Sequence, residues 1–429
     1  MKKALVLGGG GSKGAYEIGV WKALNELDMK FDIVTGTSIG ALIGVLVVQD
    51  DYEKALQLWE HLSVEDVMVN GVNMDMDIEL IMSQKGKYID FLSSYLHHKG
   101  ADISPFVEIV KNMYDPKKFF ESKLDYGCMT VNFSKHCAQP MLKKDMSETD
   151  VVDYIIASAS CFPAFPMKII NDEKFIDGGY HDNVPIELAR AMGAEEIVAV
   201  DLKSIGKYQV HKPQPDTIYI EPYVPLGSFL LFEKDRIERN MKLGYQDAMK
   251  AFGKYWGYIY TFPLTETECI SDFEDKMEDA FFNIDVILVR DKMKLLTKKV
   301  VDHEIKHALE DYQTYEHPFL ALIERIAFDF EIDDLEIRNF NELVEEVLQI
   351  ADHNVTTFHR DEHSKLGIKE SLESLKGESS QGLLSYIYHY VTKATSDQSR
   401  ETELLCAMFP DAFLKAYALY AIKQGFQFE

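Results

Sequence analysis

The apolar positions of the first 48 residues fall into short blocks whose period changes. Ala4-Leu5-Val6-Leu7 is an apolar run closed by Gly8, the pattern of a strand buried on both faces. Gly8 to Gly14 interrupts it, after which Ile18, Trp21, Ala23, Leu24 and Leu27 recur at helical spacing. Phe31, Ile33 and Val34 predict a second strand that stops at Gly36, and Ile39–Val48, apolar almost throughout, resumes as helix. Two strands separated by one helix imply a parallel βαβ unit.

Residues 50–123 read as a helical insertion carrying Met68, Met74, Met76, Met82 and Met113. A Met-rich surface can adapt to acyl chains, although helix core is the commoner use of such residues. Strand-like runs return at Tyr126–Phe133, Met167–Ile170, Phe175–Ile176, Ile197–Leu202 and Thr217–Ile220, with a helical stretch at Pro185–Met192. The prediction is an α/β domain with a largely parallel sheet over residues 1–263. Pro263 and Thr265–Glu268 mark a junction, and 264–429 has long helical patterns at 288–312, 317–330, 334–352 and 401–424. That tail is predicted to be a separate helical domain, a partner or lid outside the catalytic machinery.

Charge narrows the function classes. Lys plus Arg number 45 against 71 Asp plus Glu, a net −26, and the tail from Leu264 holds −17 of it with 34 acidic and 17 basic residues. Such a balance argues against nucleic acid, whose binding depends on neutralising phosphates, and against electrostatic docking on anionic lipid. A transient apolar contact with a membrane surface stays compatible with it. The five cysteines form no CxxC pair, so neither a disulfide framework nor a zinc site is expected, and no EF-hand spacing calls for calcium. The amino terminus lacks the apolar stretch of a secretory signal and no run approaches ~18 apolar residues. The expectation is a soluble, reduced, cytoplasmic protein without metal or cofactor.

Three motifs carry chemistry. Gly36-Thr37-Ser38-Ile39-Gly40 is a G-x-S-x-G pattern between a predicted strand and helix, a setting that exposes a serine Oγ at a sheet edge. Gly8-Gly9-Gly10-Gly11-Ser12-Lys13-Gly14 can turn backbone amides toward an anion. It also satisfies G-x-G-x-x-G, so a nucleotide- or phosphate-binding regulator is a competing reading. That fingerprint expects an acid at the end of the second strand, whereas Asp32 lies at its beginning. Asp177-Gly178-Gly179 follows a strand end; alone it reads as a turn, and with the other two motifs as a catalytic acid.

In order and spacing these pieces resemble the patatin-like phospholipase family, with a middle Ala-Ser…Pro segment at Ala157–Pro163 and further likeness through Asn183, Pro185 and Asp201. The resemblance implies a three-layer α/β/α fold and a Ser–Asp dyad hydrolysing acyl lipids. It makes Ser38 the nucleophile and Asp177 the base, with Gly9, Gly10 and Gly11 forming the oxyanion loop. Gly8, Lys13, Gly14, Gly36, Gly40, Gly178 and Gly179 support them. The sequence departs from the family in having Ser12-Lys13 where an arginine is usual, and in the middle segment's spacing, which leaves the roles of Ser158 and Ser160 open. A Cβ at Gly10 is expected to restrict φ and crowd the acyl carbonyl. A transacylase would use the same residues, and a triad through His181 is the minor alternative.

Overall fold

The computed structural model describes residues 1–69, 101–204, 214–282, 295–358, 378–393 and 399–425. They form two compact units, Met1–Gly253 and Lys254–Glu429. The expected junction residue Pro263 lies on a short strand of the second unit.

The first unit opens with β1 (Lys3–Leu7), α1 (Ala15–Glu26), β2 (Ile33–Thr37), α2 (Ile39–Gln49) and α3 (Tyr52–His61). Of the helical insertion, the described residues contribute α3, α4 (Ser104–Met113) and α5 (Pro116–Glu121). Met68 is buried and Met113 half-buried, while Met74, Met76 and Met82 lie outside the described residues. The chain continues through β3 (Asp125–Asn132), β4 (Cys137–Ala138), β5 (Met141–Leu142), α6 (Asp150–Ser158), β6 (Lys168–Ile170), β7 (Glu173–Asp177), α7 (Ile186–Ala191), β8 (Glu196–Val200), β9 (Thr217–Ile220) and α8 (Lys234–Ala251).

The sheet has the order β6-β7-β3-β2-β1-β8-β9, with β4 and β5 paired to β3. Its five-strand centre, β3 to β9, is parallel, as the buried apolar runs predict. The β6–β7 hairpin joins antiparallel to β3 and makes that edge mixed. Helices cover both faces. Ala4, Val6, Ile33, Ile197 and Ala199 pack with Ile186 and Ala189 of α7. On the opposite face α2 presses against the sheet so closely that a Cβ at Gly44 would come 3.2 Å from Val34 and Tyr126. The result is a three-layer α/β/α unit.

Helix α8 has no counterpart in the sequence prediction. Its buried residues Ile237, Asn240, Leu243, Gly244, Asp247 and Ala248 recur at helical spacing, yet half of them are polar or glycine, so no apolar stripe shows. Asp247 is buried because it accepts a 2.8 Å hydrogen bond from Tyr16 Oη and pairs with Lys250 at 2.8 Å.

The second unit begins with the hairpin of β10 (Tyr255–Trp256) and β11 (Phe262–Pro263). Seven helices follow among the described residues: α9 (Thr267–Phe282), α10 (Leu295–Glu310), α11 (Pro318–Asp329), α12 (Phe340–Phe358), α13 (Ser380–Lys393), α14 (Ser399–Met408) and α15 (Pro410–Gly425). The single helix predicted over 401–424 is two helices, because Pro410 has no N–H to continue the first. Glu324 on α11 is fully buried and accepts the backbone N–H groups of Tyr258, Ile259 and Tyr260 in the hairpin turn. Among the described residues no single helix is long and apolar enough to cross a membrane.

Candidate active site

Strand register assembles the three motifs. Leu7, the last residue of β1, lies opposite Gly36 of β2, so the glycine loop and the serine turn leave the sheet side by side. Thr37 lies opposite Met129 of β3, and the next β3 residue, Thr130, lies opposite Asp177. Because β7 runs antiparallel to β3, its carboxyl end arrives one residue step from the start of the serine elbow. Residues 139 positions apart are thereby brought together, and Asp177 accepts a hydrogen bond from the Ser38 side chain.

Ser38 has φ 56° and ψ −122°, a strained conformation for a residue with a side chain. The turn tolerates it because its flanking positions carry no Cβ. At Gly36 a Cβ would lie 2.3 Å from the Gly40 carbonyl oxygen, and at Gly40 one would lie 2.6 Å from the carbonyl oxygens of Leu7 and Gly8. The Ser38 N–H is fixed by a 2.8 Å hydrogen bond to Ser158 Oγ, which itself donates to the Met129 carbonyl at 2.7 Å. The middle segment thus resolves into two tasks. Ser158 braces the elbow, while Ser160 accepts the Asp177 N–H on its carbonyl at 2.9 Å.

The glycine loop divides in the same way. Gly8 N–H donates to Val200 O and Gly9 N–H to Asn183 O, both at 3.1 Å; Ser12 N–H donates to Phe229 O at 2.8 Å. The Gly10 and Gly11 N–H groups have no hydrogen-bond partner among the described residues. They are the free donors of the loop, whereas Gly9 is held by Asn183 in both directions, the Asn183 Nδ2 donating back to Gly9 O at 3.1 Å. Gly10 has φ 173°, extended backbone open to any residue. The constraint there is packing, since a Cβ would come 2.7 Å from Leu202 Cδ1 and Ser204 Oγ rather than against a substrate carbonyl. Lys13 and Gly14 are buried in the short turn that follows, and Gly178 and Gly179 are buried beyond Asp177.

Asp177 is only 6% exposed. Burial pushes its carboxyl up to about 6, against the opposing pull of the 2.7 Å hydrogen bond from Gly179 N–H and the bond from Ser38. That is a stronger base than a solvated aspartate. Cys161, also at the cavity wall, has its thiol pushed up to about 12 by burial and then by the Asp177 charge, so it is not a competing nucleophile. His181 is exposed and donates its N–H to the Gly178 carbonyl. Among the described residues no imidazole stands between Asp177 and Ser38, and Asp177 accepts directly from the serine side chain.

In front of Ser38 lies a cavity of about 500 Å³, within the range of small-molecule sites. Leu42, Trp59, Phe106, Phe165, Phe229 and Phe232 give it an apolar wall, and Ser38, Asp177 and Gly9–Gly11 stand at one side. Asn183 also lines it; its Asn-x-Pro context in the sequence was the only signal of a role. Asp32 is exposed at the start of β2 and accepts the Lys3 N–H at 2.8 Å, far from the position a ribose-binding acid would need. Among the described residues no group of three His, Cys, Asp or Glu side chains could hold a metal.

A serine on a strained strand–helix turn, a buried carboxylate bonded to it, and glycine amides beside an apolar cavity thus stand together at one end of the sheet. Residues 5–190 match the family model of patatin-like phospholipase. Over 205 residues the chain is 27% identical to patatin-like phospholipase domain-containing protein 7 of Rattus norvegicus, covering 47% of this chain and 14% of that protein. Over 215 residues it is 29% identical to lysophospholipase NTE1 of Phaeosphaeria nodorum, covering 47% and 12%. Human patatin-like phospholipase domain-containing protein 6 is 29% identical over 206 residues, covering 47% and 13%. The chain spans a small fraction of these relatives' length. The solved structure of VipD from Legionella pneumophila aligns over 100% of this chain and 93% of its own at 15% identity, with a TM-score of 0.39, too low to carry an argument.

Proposed function

We propose that the first unit is a serine lipid acyl hydrolase of phospholipase A or lysophospholipase type, acting through a Ser38–Asp177 dyad. The observation that carries the reading is the hydrogen bond of Ser38 to a buried Asp177 beside the two free amides of Gly10 and Gly11. Ser38 Oγ attacks the ester carbonyl while Asp177 takes its proton. The Gly10 and Gly11 amides hold the oxyanion, each such donor being worth about 3 kcal/mol. Collapse expels the alcohol, which takes the proton back from Asp177 and leaves an acyl-Ser38 ester. Water, deprotonated by Asp177, attacks that ester, and Ser38 Oγ takes the proton back from Asp177 as it leaves, releasing the fatty acid.

The relatives' names agree with this chemistry, one of them being a lysophospholipase. The apolar wall suits an acyl chain better than a nucleotide, and the Gly8, Gly9 and Ser12 amides are already engaged. Substrate reaches the site through transient contact with a lipid surface. The test pairs a panel of glycerophospholipids and lysophospholipids with a fluorophosphonate label. Wild-type protein should release fatty acid and label at Ser38, and Ser38→Ala should do neither while keeping its circular dichroism. Retained hydrolysis in Ser38→Ala would refute the assignment.

A further inference from the structure

A second cavity of about 420 Å³ lies between α3 and α4 and is lined by Lys54, Gln57, Leu58, His61, Leu62, Asp66, Ile109 and Met113. Leu58, Leu62 and Ile109 also line the cavity in front of Ser38. These three half-buried aliphatic side chains are therefore a common wall with space on both sides, and α3 and α4 contribute to both spaces.

The chemistry of the second cavity selects its occupant. Lys54 Nζ donates to the Asn112 carbonyl at 2.6 Å, at the carboxyl end of α4. The Asp66 carboxylate accepts from Ser63 N–H at 2.9 Å and from Ser63 Oγ at 2.7 Å. His61 Nδ1 bonds to the Gln57 carbonyl at 2.9 Å. The charged groups at this cleft are thus engaged with its own walls, and Leu58, Leu62, Ile109 and Met113 provide an apolar surface. An anion would have to break Lys54 from α4, whereas a hydrocarbon chain displaces only water.

We infer that the cleft between α3 and α4 is the distal subsite for the acyl chain, whose tail passes the Leu58, Leu62 and Ile109 wall and ends beside Met113. This rests on the proposed acyl-Ser38 chemistry and adds to it a chain-length preference. Short acyl chains fill only the space at Ser38, and long ones gain the second cavity. A common aliphatic wall can open by rotamer changes of Leu58 and Ile109, without backbone movement.

The experiment uses the full chain and a hexadecyl fluorophosphonate carrying a diazirine at the tail end of its alkyl chain. After labelling, irradiation and proteolysis, the phosphorus should be found on Ser38 and the photoadduct on Gln57, His61 or Met113. Ser38 labelling with a photoadduct elsewhere would overturn the distal subsite and leave the hydrolase reading standing. Absence of Ser38 labelling would remove both. In parallel, Met113→Trp fills the second cavity. It should lower the ratio of kcat/KM for p-nitrophenyl palmitate over butyrate about tenfold, and an unchanged ratio in the folded variant would count against the subsite.

Discussion

Replacing the proposed base, Asp177→Asn, should abolish turnover and at the same time make the protein more stable at neutral pH. Burial raises the Asp177 carboxyl from 3.8 to about 6. About two units correspond to roughly 3 kcal/mol of preference for the neutral form in the folded chain. Between those values the folded state holds a proton that the unfolded state has released, so stability falls as pH rises through the window. The full cost is present above about pH 6 and absent below about pH 4. An asparagine cannot ionise and keeps an acceptor oxygen for the Gly179 N–H, so the variant escapes that cost. A gain on the order of 1–3 kcal/mol at pH 7.5, or several degrees in Tm for a unit of this size, is expected. Thermal denaturation followed by circular dichroism at pH 4 and pH 7.5 measures it, with ester hydrolysis assayed on the same samples. The stability difference should vanish at pH 4. A variant no more stable than wild type at pH 7.5, or a difference indifferent to pH, would refute the account of a desolvated carboxylate maintained for chemistry.

The same group sets the acid limb of activity: kcat/KM should fall as pH drops through about 6, and a limb centred near 4 would mean that Asp177 is solvated in the working enzyme. His181→Ala should retain most activity because the imidazole is exposed at the surface; a loss of several orders of magnitude, matching Asp177→Asn with folding intact, would restore a triad. Ser158→Ala removes the brace on the Ser38 N–H and leaves the Met129 carbonyl without its hydroxyl donor. It should cost about 1–3 kcal/mol by urea denaturation and lower kcat more than it raises KM, so an unchanged kcat would show that the elbow holds its own geometry. In the second unit Glu324→Ala strips the acceptor from the Tyr258, Ile259 and Tyr260 amides. A loss of about 3–5 kcal/mol is expected there by denaturation, with Glu324→Gln milder, and equal losses from the two variants would deny the carboxylate its special role.

The strands and helices nearest the chemistry were legible in the chain because their patterns are local. Ala4–Leu7 and Ile39–Val48 are apolar runs closed by glycine or a polar residue, and β1 and α2 fall on them within a residue or two. The glycines at 36 and 40 also announce themselves, since a turn this tight excludes any Cβ. Helix α8 was not legible, because its buried face mixes glycine, asparagine and aspartate whose burial depends on partners such as Tyr16. Nor could the sequence say which loop amides remain free. That follows from Gly9 meeting Asn183 and Ser12 meeting Phe229, contacts between segments more than 170 residues apart. The pairing of Ser38 with Asp177 lies between these cases. The residues were readable from their motifs, but their contact depends on an antiparallel β7 set beside β3 in a sheet otherwise parallel at its centre. Strand order and direction are decided by which faces can be buried together, a property of the whole fold that no local pattern encodes.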